Sequence, residues 1–249
     1  MFKDILVNRI GTSTNSYMKT VKVIKTIQPN IYYKILLNNL IEIQELKSYD
    51  FLKSYNTKIL DKIIEPKYIE IEDNWILESH TKLNDANILG SFGKLITESI
   101  IKIPINIANY YNVQFYNAKL YNSYDIMKFD SEEDLPLTEM VIGDEYVKNY
   151  IYDINLGGGQ YLEYHNNPHF HSPISSNGGY YILGKRENNK IKLSAFTIPY
   201  CKAIYTPDYV IHSDANLTSK WLVVYSKTNK YSTVLLRDKK DNLTKIEFI

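Results

Sequence analysis

Residues 157–184 have the sequence GGGQYLEYHNNPHFHSPISSNGGYYILG, and this stretch decides the fold. It contains three histidines within seven residues, namely His165, His169 and His171. A second stretch, residues 207–216 with the sequence PDYVIHSDAN, supplies His212. Imidazole is the commonest metal ligand in proteins and the commonest general base. The two stretches therefore predict a metal centre built from separated parts of the chain.

Strand geometry groups the polar residues of the first stretch, because side chains alternate between faces along a β-strand. One face would carry five polar residues, namely Glu163, His165, Asn167, His169 and His171. The opposite face would carry Leu162, Tyr164, Pro168 and Phe170. Such a pattern is typical of a wall between a packed layer and the cavity of a small antiparallel barrel. Proline donates no ladder hydrogen bond, so the strand is predicted to lie at an edge, bulge or break near Pro168 and Pro173.

The two stretches resemble the paired motifs of the cupin superfamily. The second motif of that family, PxGxxHxxxN, is matched at Pro207, His212 and Asn216, with Tyr209 at the glycine position. The first motif, G(x)5HxH(x)3-4E(x)6G, fits in two registers. In one register, Gly159, His165 and Gly178 match the first glycine, the first histidine and the last glycine of the motif. Asn167 then stands at the position of the second histidine, and His171 at that of the glutamate.

The other register takes His169 and His171 as the HxH pair, followed by a turn over 172–179 and a strand over 180–184. We favour it because serine, asparagine and glycine then fall where a turn is needed. In this register Glu163 stands at the position of the motif's leading glycine. The position of the motif's glutamate falls on one of three polar residues, Ser175, Ser176 or Asn177.

The resemblance implies a divalent metal ion bound by His169, His171 and His212. Ferrous iron is the expected ion, with zinc, manganese, nickel and copper as alternatives that imidazole ligands also accept. Without the family's glutamate the site resembles that of the thiol dioxygenases, in which three histidines hold ferrous iron. Glu163 or His165 would supply a fourth ligand from the same face, or a proton-transfer group beside the metal.

Three functions are compatible with this reading of the residues, because one fold hosts many activities. The first is an oxidoreductase of the dioxygenase type acting on a small molecule. The second is an isomerase, epimerase or lyase that uses the metal as a Lewis acid on a sugar or keto acid. The third is a non-catalytic binding or structural cupin.

The amino-acid composition indicates which kinds of partner and which cellular compartment to expect. Lysine and arginine number 29 against 28 aspartate and glutamate residues, so nothing indicates nucleic-acid binding. A single cysteine, Cys201, excludes a disulfide framework within one chain and fits a reducing compartment. No stretch approaches the roughly 18 apolar residues of a membrane span, and no signal-peptide pattern is present. We therefore expect a cytoplasmic protein with a small-molecule substrate and no membrane partner, and the resemblance implies pairing of two copies through an edge sheet.

The remaining chain is predicted to divide at residue 66. Residues 1–66 are expected to form a largely helical extension, because apolar residues recur at helical spacing from Tyr33 to Ile43 and from Leu52 to Ile63. From residue 67 the pattern changes to short alternating segments separated by asparagine, glycine and aspartate turns. Candidate strands include 113–120, 145–155, 161–165 and 231–237. This succession predicts a mainly β, cupin-type jelly-roll barrel over residues 67–249.

Overall fold

The computed structural model describes residues 2, 5–36, 39–42, 62–76, 87, 93–176, 178–226, 228 and 230–249. This part of the chain is mainly β, with a sheet that curls into a half-barrel. The mainly β prediction is therefore confirmed.

Strands of the described part are numbered along the chain as follows: β1 (Asn8–Ile10), β2 (Tyr17–Ile27), β3 (Tyr32–Leu36), β4 (Asn39–Glu42), β5 (Ile69–Glu72), β6 (Trp75–Ile76), β7 (Gly93–Ile96), β8 (Ile100–Ile103), β9 (Ile105–Ile107), β10 (Lys119–Asn122), β11 (Ile126–Lys128), β12 (Leu135–Ile142), β13 (Tyr161–His165), β14 (His169–Pro173), β15 (Gly179–Glu187), β16 (Lys190–Thr197), β17 (Lys202–Thr206), β18 (Ile211–Leu217), β19 (Ser219–Val224), β20 (Tyr231–Arg237) and β21 (Lys245–Phe248). Helical structure in the same ranges comprises α1 (Tyr110–Val113), a 3-10 turn (Gln114–Tyr116) and a π-helical segment (Val147–Ile151). None of these helices has the length and hydropathy that crossing a membrane requires.

Two large sheets form the body of the protein. The front sheet has the strand order β1-β2-β12-β19-β14-β17-β10. The back sheet has the order β5-β16-β15-β18-β13-β20-β7-β6, and β9 runs parallel to β16. A small sheet of β11, β3 and β4 and a parallel pair of β21 and β8 accompany them.

Apolar side chains form three clusters, which follow the layering of the sheets. The first cluster joins the inner faces of the two large sheets and includes Trp221 of β19 and Tyr181 of β15. The second joins Phe170 on the outer face of the front sheet to Tyr33 of the small sheet. The third joins Leu162 of the back sheet to residues of β8. Since both outer faces are packed with apolar groups, the alternate residues of β13, β14 and β18, which include Glu163, His169 and His212, lie between the large sheets.

The predicted N-terminal helical segment is not supported, and the first of its two helices is wrong. Residues 32–36 and 39–42 form the antiparallel strand pair β3–β4, in which Tyr33 pairs with Glu42. Tyr33 and Ile35 are buried and Lys34 between them is exposed, which is the alternation of a strand. Aromatic and β-branched residues favour a strand that packs against another layer, and that packing overrides the helical spacing. The second predicted helix lies mostly in residues 43–61, outside the described residues.

Two predicted strands contain helical structure instead. The first part of the segment 113–120 continues α1 and the 3-10 turn, which follow an asparagine capping box between Asn109 and Asn112. The segment 145–155 contains the π-helical segment. Both are short helices whose apolar residues alternate by chance as those of a strand would.

Candidate metal centre

The chain crosses between the two large sheets in the middle of the first histidine stretch. β13 lies in the back sheet and β14 in the front sheet, and the connection 166–168 contains Pro168, near which a break was predicted. Glu163 and His165 therefore face the residues of β14 across the space between the sheets, and do not extend one row with them. Asn167 does not join this group, because its side-chain amide donates a hydrogen bond to Glu133 at 2.7 Å.

Four side chains converge between the sheets. Glu163, His165, His169 and His212 each contribute a donor atom, and these atoms all lie within 4.8 Å of one another. The ring centroids are 4.3 Å apart for His165 and His169, and 4.8 Å apart for His169 and His212. The three imidazoles are buried, whereas the Glu163 side chain is 20% exposed. Glu163 is therefore the most exposed of the four side chains.

Strand pairing explains why Glu163 and His212 meet. The two residues are direct partners in the antiparallel pairing of β13 with β18. Directly opposed residues of neighbouring strands point to the same face and lie about 4.5–5.5 Å apart at their Cβ atoms. The resulting distance from Glu163 Oε1 to His212 Nε2 is 3.7 Å.

The backbone of the β17–β18 turn orients the His212 ring. His212 Nδ1 lies 2.9 Å from the carbonyl oxygen of Val210. A carbonyl only accepts hydrogen bonds, so Nδ1 carries the proton and Nε2 keeps its lone pair. This Nε2 lies 3.1 Å from Nδ1 of His169. Two nitrogens that are each about 2.0–2.1 Å from one ion, with perpendicular bonds, lie about 3 Å apart. The observed separation fits two ligands of one metal ion.

The His165 ring gives a further indication that a metal fits. Both of its ring nitrogens are buried and have no hydrogen-bond partner among the described residues, which is also true of the neighbouring His171 ring. Buried polar atoms without partners are rare, because each loses its hydration without compensation. Its neighbours are two imidazoles and a carboxylate, donors that zinc, iron, nickel and copper accept. The residues present therefore fit a divalent transition-metal ion.

The electrostatics keep the imidazoles in the neutral form that binds metals. Burial, and then the nearby His212, lower the pKa of His165 to about 4. Burial lowers the pKa of His212 to about 4 and that of His169 well below its usual value. Burial raises the pKa of Glu163, against the opposing influence of the His165 ring. A metal ion bound here would lower the pKa of Glu163, because its positive charge favours the ionised carboxylate.

His171 lies beside this group and not within it. Its ring is fully buried, 5.6 Å from the His169 ring and 5.0 Å from the Tyr181 ring between centroids. Its Nε2 is 3.7 Å from Oδ2 of Asp214. Of the predicted ligands His169, His171 and His212, the structure thus brings two together. It adds Glu163 and His165, which were predicted as a fourth ligand or as proton-transfer groups.

Two charged residues near the centre were not singled out in the sequence. Asp214 accepts a hydrogen bond from the hydroxyl of Tyr161. Burial alone would raise the pKa of Asp214, but His171 and the Arg9 guanidinium hold it well below its usual range. Asp214 follows His212 by two residues, so strand alternation was a usable signal for it. Arg9 comes from β1 and carries no local signal of its position.

Comparison with protein-family models, with curated proteins and with solved structures found no match to this chain.

Proposed function

We propose that this chain is a metal-dependent enzyme of the cupin type, an oxidoreductase of the dioxygenase class that acts on a small molecule. The metal would be held by Glu163, His165, His169 and His212. The observation that carries this proposal is the convergence, within 4.8 Å, of four donors from three strands of two facing sheets. In four-ligand cupins a glutamate joins the histidines, and Glu163 would take that part from a different place in the sequence.

The surroundings support chemistry on a bound molecule. A divalent iron ion with this ligand set would supply redox chemistry with dioxygen. The rings of Tyr181 and Trp221 flank His171 and keep water from that side of the group. The side chains of Glu163 and Asp214 are partly exposed, at 20% and 14%, and a small substrate would enter from their side.

Lewis-acid isomerase, epimerase or lyase chemistry is the second candidate, and one observation favours it. The Asp214 carboxylate and the His171 ring form a pair beside the proposed ligands. Tyr161 donates a hydrogen bond to the same carboxylate. In such a pair the carboxylate can orient the imidazole, and the imidazole can accept a proton from a bound sugar or keto acid, which isomerisation and elimination both require.

Location and assembly belong to the same proposal. A single, exposed cysteine, Cys201, supports a reducing compartment such as the cytoplasm. β1 and β10 are the outermost strands of the front sheet in the described part of the chain, and two copies could pair at such an edge.

Metal content tests the proposal. We expect about one equivalent of a divalent metal in protein purified without chelator under anaerobic conditions, measured by elemental analysis. His165→Ala and His169→Ala should lose it, because each removes a proposed ligand. His171→Ala is the matched control, a buried histidine of the same strand as His169, and should keep it. Loss of metal from His171→Ala with retention by His165→Ala would instead support the set His169, His171 and His212.

Oxygen uptake separates the two chemical classes. Iron-loaded protein should consume dioxygen in the presence of a thiol or diol substrate if the first candidate is correct. Metal-dependent turnover of a sugar or keto acid without oxygen consumption would support the second candidate.

A further inference from the structure

Glu163 has a second neighbour across the back sheet, on the side opposite to His212. Thr233 of β20 is its direct partner in the antiparallel pairing of β13 with β20. The three side chains therefore lie in one row on the inner face of the sheet, in the order Thr233, Glu163, His212. Thr233 is buried, with 5% of its surface exposed.

The two oxygens of the Glu163 carboxylate have different environments. Oε2 accepts a hydrogen bond from the Thr233 hydroxyl at 3.3 Å. Oε1 is the oxygen that lies 3.7 Å from His212 Nε2, on the side of the imidazoles. A hydroxyl placed directly across the strand pair thus occupies one oxygen and leaves the other directed at the histidines.

We propose that Thr233 is a positioning residue that holds Oε2 of Glu163, so that this carboxylate binds the metal through Oε1 alone. The inference rests on the proposed metal centre and adds a residue to it. Groups that hydrogen-bond to a ligand fix its orientation and raise the affinity for the metal, and losing one costs about 10- to 100-fold in metal affinity.

Thr233→Val tests this role, because valine keeps the branched shape and removes only the hydroxyl. The probe is Co2+, titrated into the metal-free full chain and followed by its visible absorption. We expect Co2+ to bind Thr233→Val about 10- to 100-fold more weakly. The intensity of the cobalt bands should also change, because the freed carboxylate can contact the ion with both oxygens and these bands weaken as the coordination number rises.

Two further variants separate positioning from packing. Thr233→Ser keeps a hydroxyl and should restore both the affinity and the cobalt spectrum. Ser232→Ala is the matched control, since Ser232 is a buried hydroxyl of the same strand that instead accepts a hydrogen bond from Trp75 at 2.9 Å. It should bind Co2+ as the wild type does.

The results of these titrations separate the role of Thr233 from the existence of the metal centre. Wild-type affinity and spectrum in Thr233→Val would overturn the role of Thr233 while the metal centre stands. A Thr233→Ser variant as weak as Thr233→Val would overturn it too, by assigning the loss to packing. If the wild-type chain bound no Co2+ and Glu163→Gln behaved identically, the proposed metal centre would fall together with the role of Thr233.

Discussion

Tyr209 has a backbone conformation that few tyrosines adopt. Its φ is +58°, in the left-handed region that glycine enters without steric conflict. The turn imposes this conformation, because the Tyr209 N–H donates a hydrogen bond of 2.7 Å to the carbonyl oxygen of His165. The turn before His212 is thereby anchored to the end of β13. The side chain contributes little to this contact, since it is 56% exposed.

Tyr209→Gly is therefore expected to keep the fold at equal or higher stability. Relief of the left-handed conformation contributes about 1–2 kcal/mol, and the greater freedom of glycine in the unfolded chain offsets about 0.5–1 kcal/mol of that. The net increase in the free energy of unfolding should lie between 0 and about 1.5 kcal/mol, measured by urea denaturation. Tyr209→Val is the control and should lower it, because a β-branched residue fits this region poorly. A loss of stability in Tyr209→Gly would show that the exposed ring matters more than the strain.

At the scale of one element, the two faces of β14 have different roles: one carries histidines and the other packs in an apolar cluster. His169 and His171 point between the large sheets, whereas Phe170 points outward, fully buried against the small sheet. The Phe170 ring lies 5.8 Å from that of Phe129, and both belong to the cluster that includes the β3–β4 hairpin. The hairpin thus holds the strand that carries His169 from the side opposite to the metal centre.

Phe170→Ala should affect stability and not the identity of the ligands. Removing a fully buried phenylalanine ring lowers the free energy of unfolding by about 3–5 kcal/mol. The folded fraction should still bind one equivalent of Co2+, because the substituted side chain faces away from the imidazoles. Ile154→Ala, which shortens a side chain that is 62% exposed, is the control and should change stability by less than about 0.5 kcal/mol. Equal effects of the two variants would contradict the assigned packing of β14.

At the scale of the whole molecule, the residues of the candidate metal centre come from two sheets. Glu163, His165 and His212 belong to the back sheet, whereas His169 belongs to the front sheet. An ion bound by all four residues would link the sheets in the folded state, and the unfolded chain would not present the four donors together. Binding should therefore stabilise the fold as a whole.

Thermal unfolding measures this linkage. At a free metal concentration 100 times the Kd, binding contributes about 2.7 kcal/mol, which raises Tm by about 5–10 °C in a chain of this size. A chelator should abolish the increase. His169→Ala should show a much smaller metal-dependent shift than wild type, since the remaining donors all lie in one sheet. An equal shift in His169→Ala and wild type would contradict a bridging site.

Local alternation made much of the β architecture predictable. β13 was predicted with the bounds observed, and so was β20, because each has a period of two that is bounded by turn residues. The same reasoning failed for residues 32–42, where aromatic and aliphatic residues satisfy both the helical and the strand pattern. Burial of Tyr33 and Ile35 against the front sheet decides that case.

The amino-acid sequence by itself determined that two strand-forming segments carry four histidines and that they belong to a mainly β protein. It also placed a turn between the first segment and the strand that follows it. Those features depend on alternation and turn chemistry, which are local. Only the tertiary structure decided which polar residues meet. The crossing at residues 166–168 places His165 opposite His169, and the strand order brings His212 beside Glu163 and leaves His171 against Asp214. Such neighbours are set by the pairing of distant strands, and no local pattern encodes that pairing.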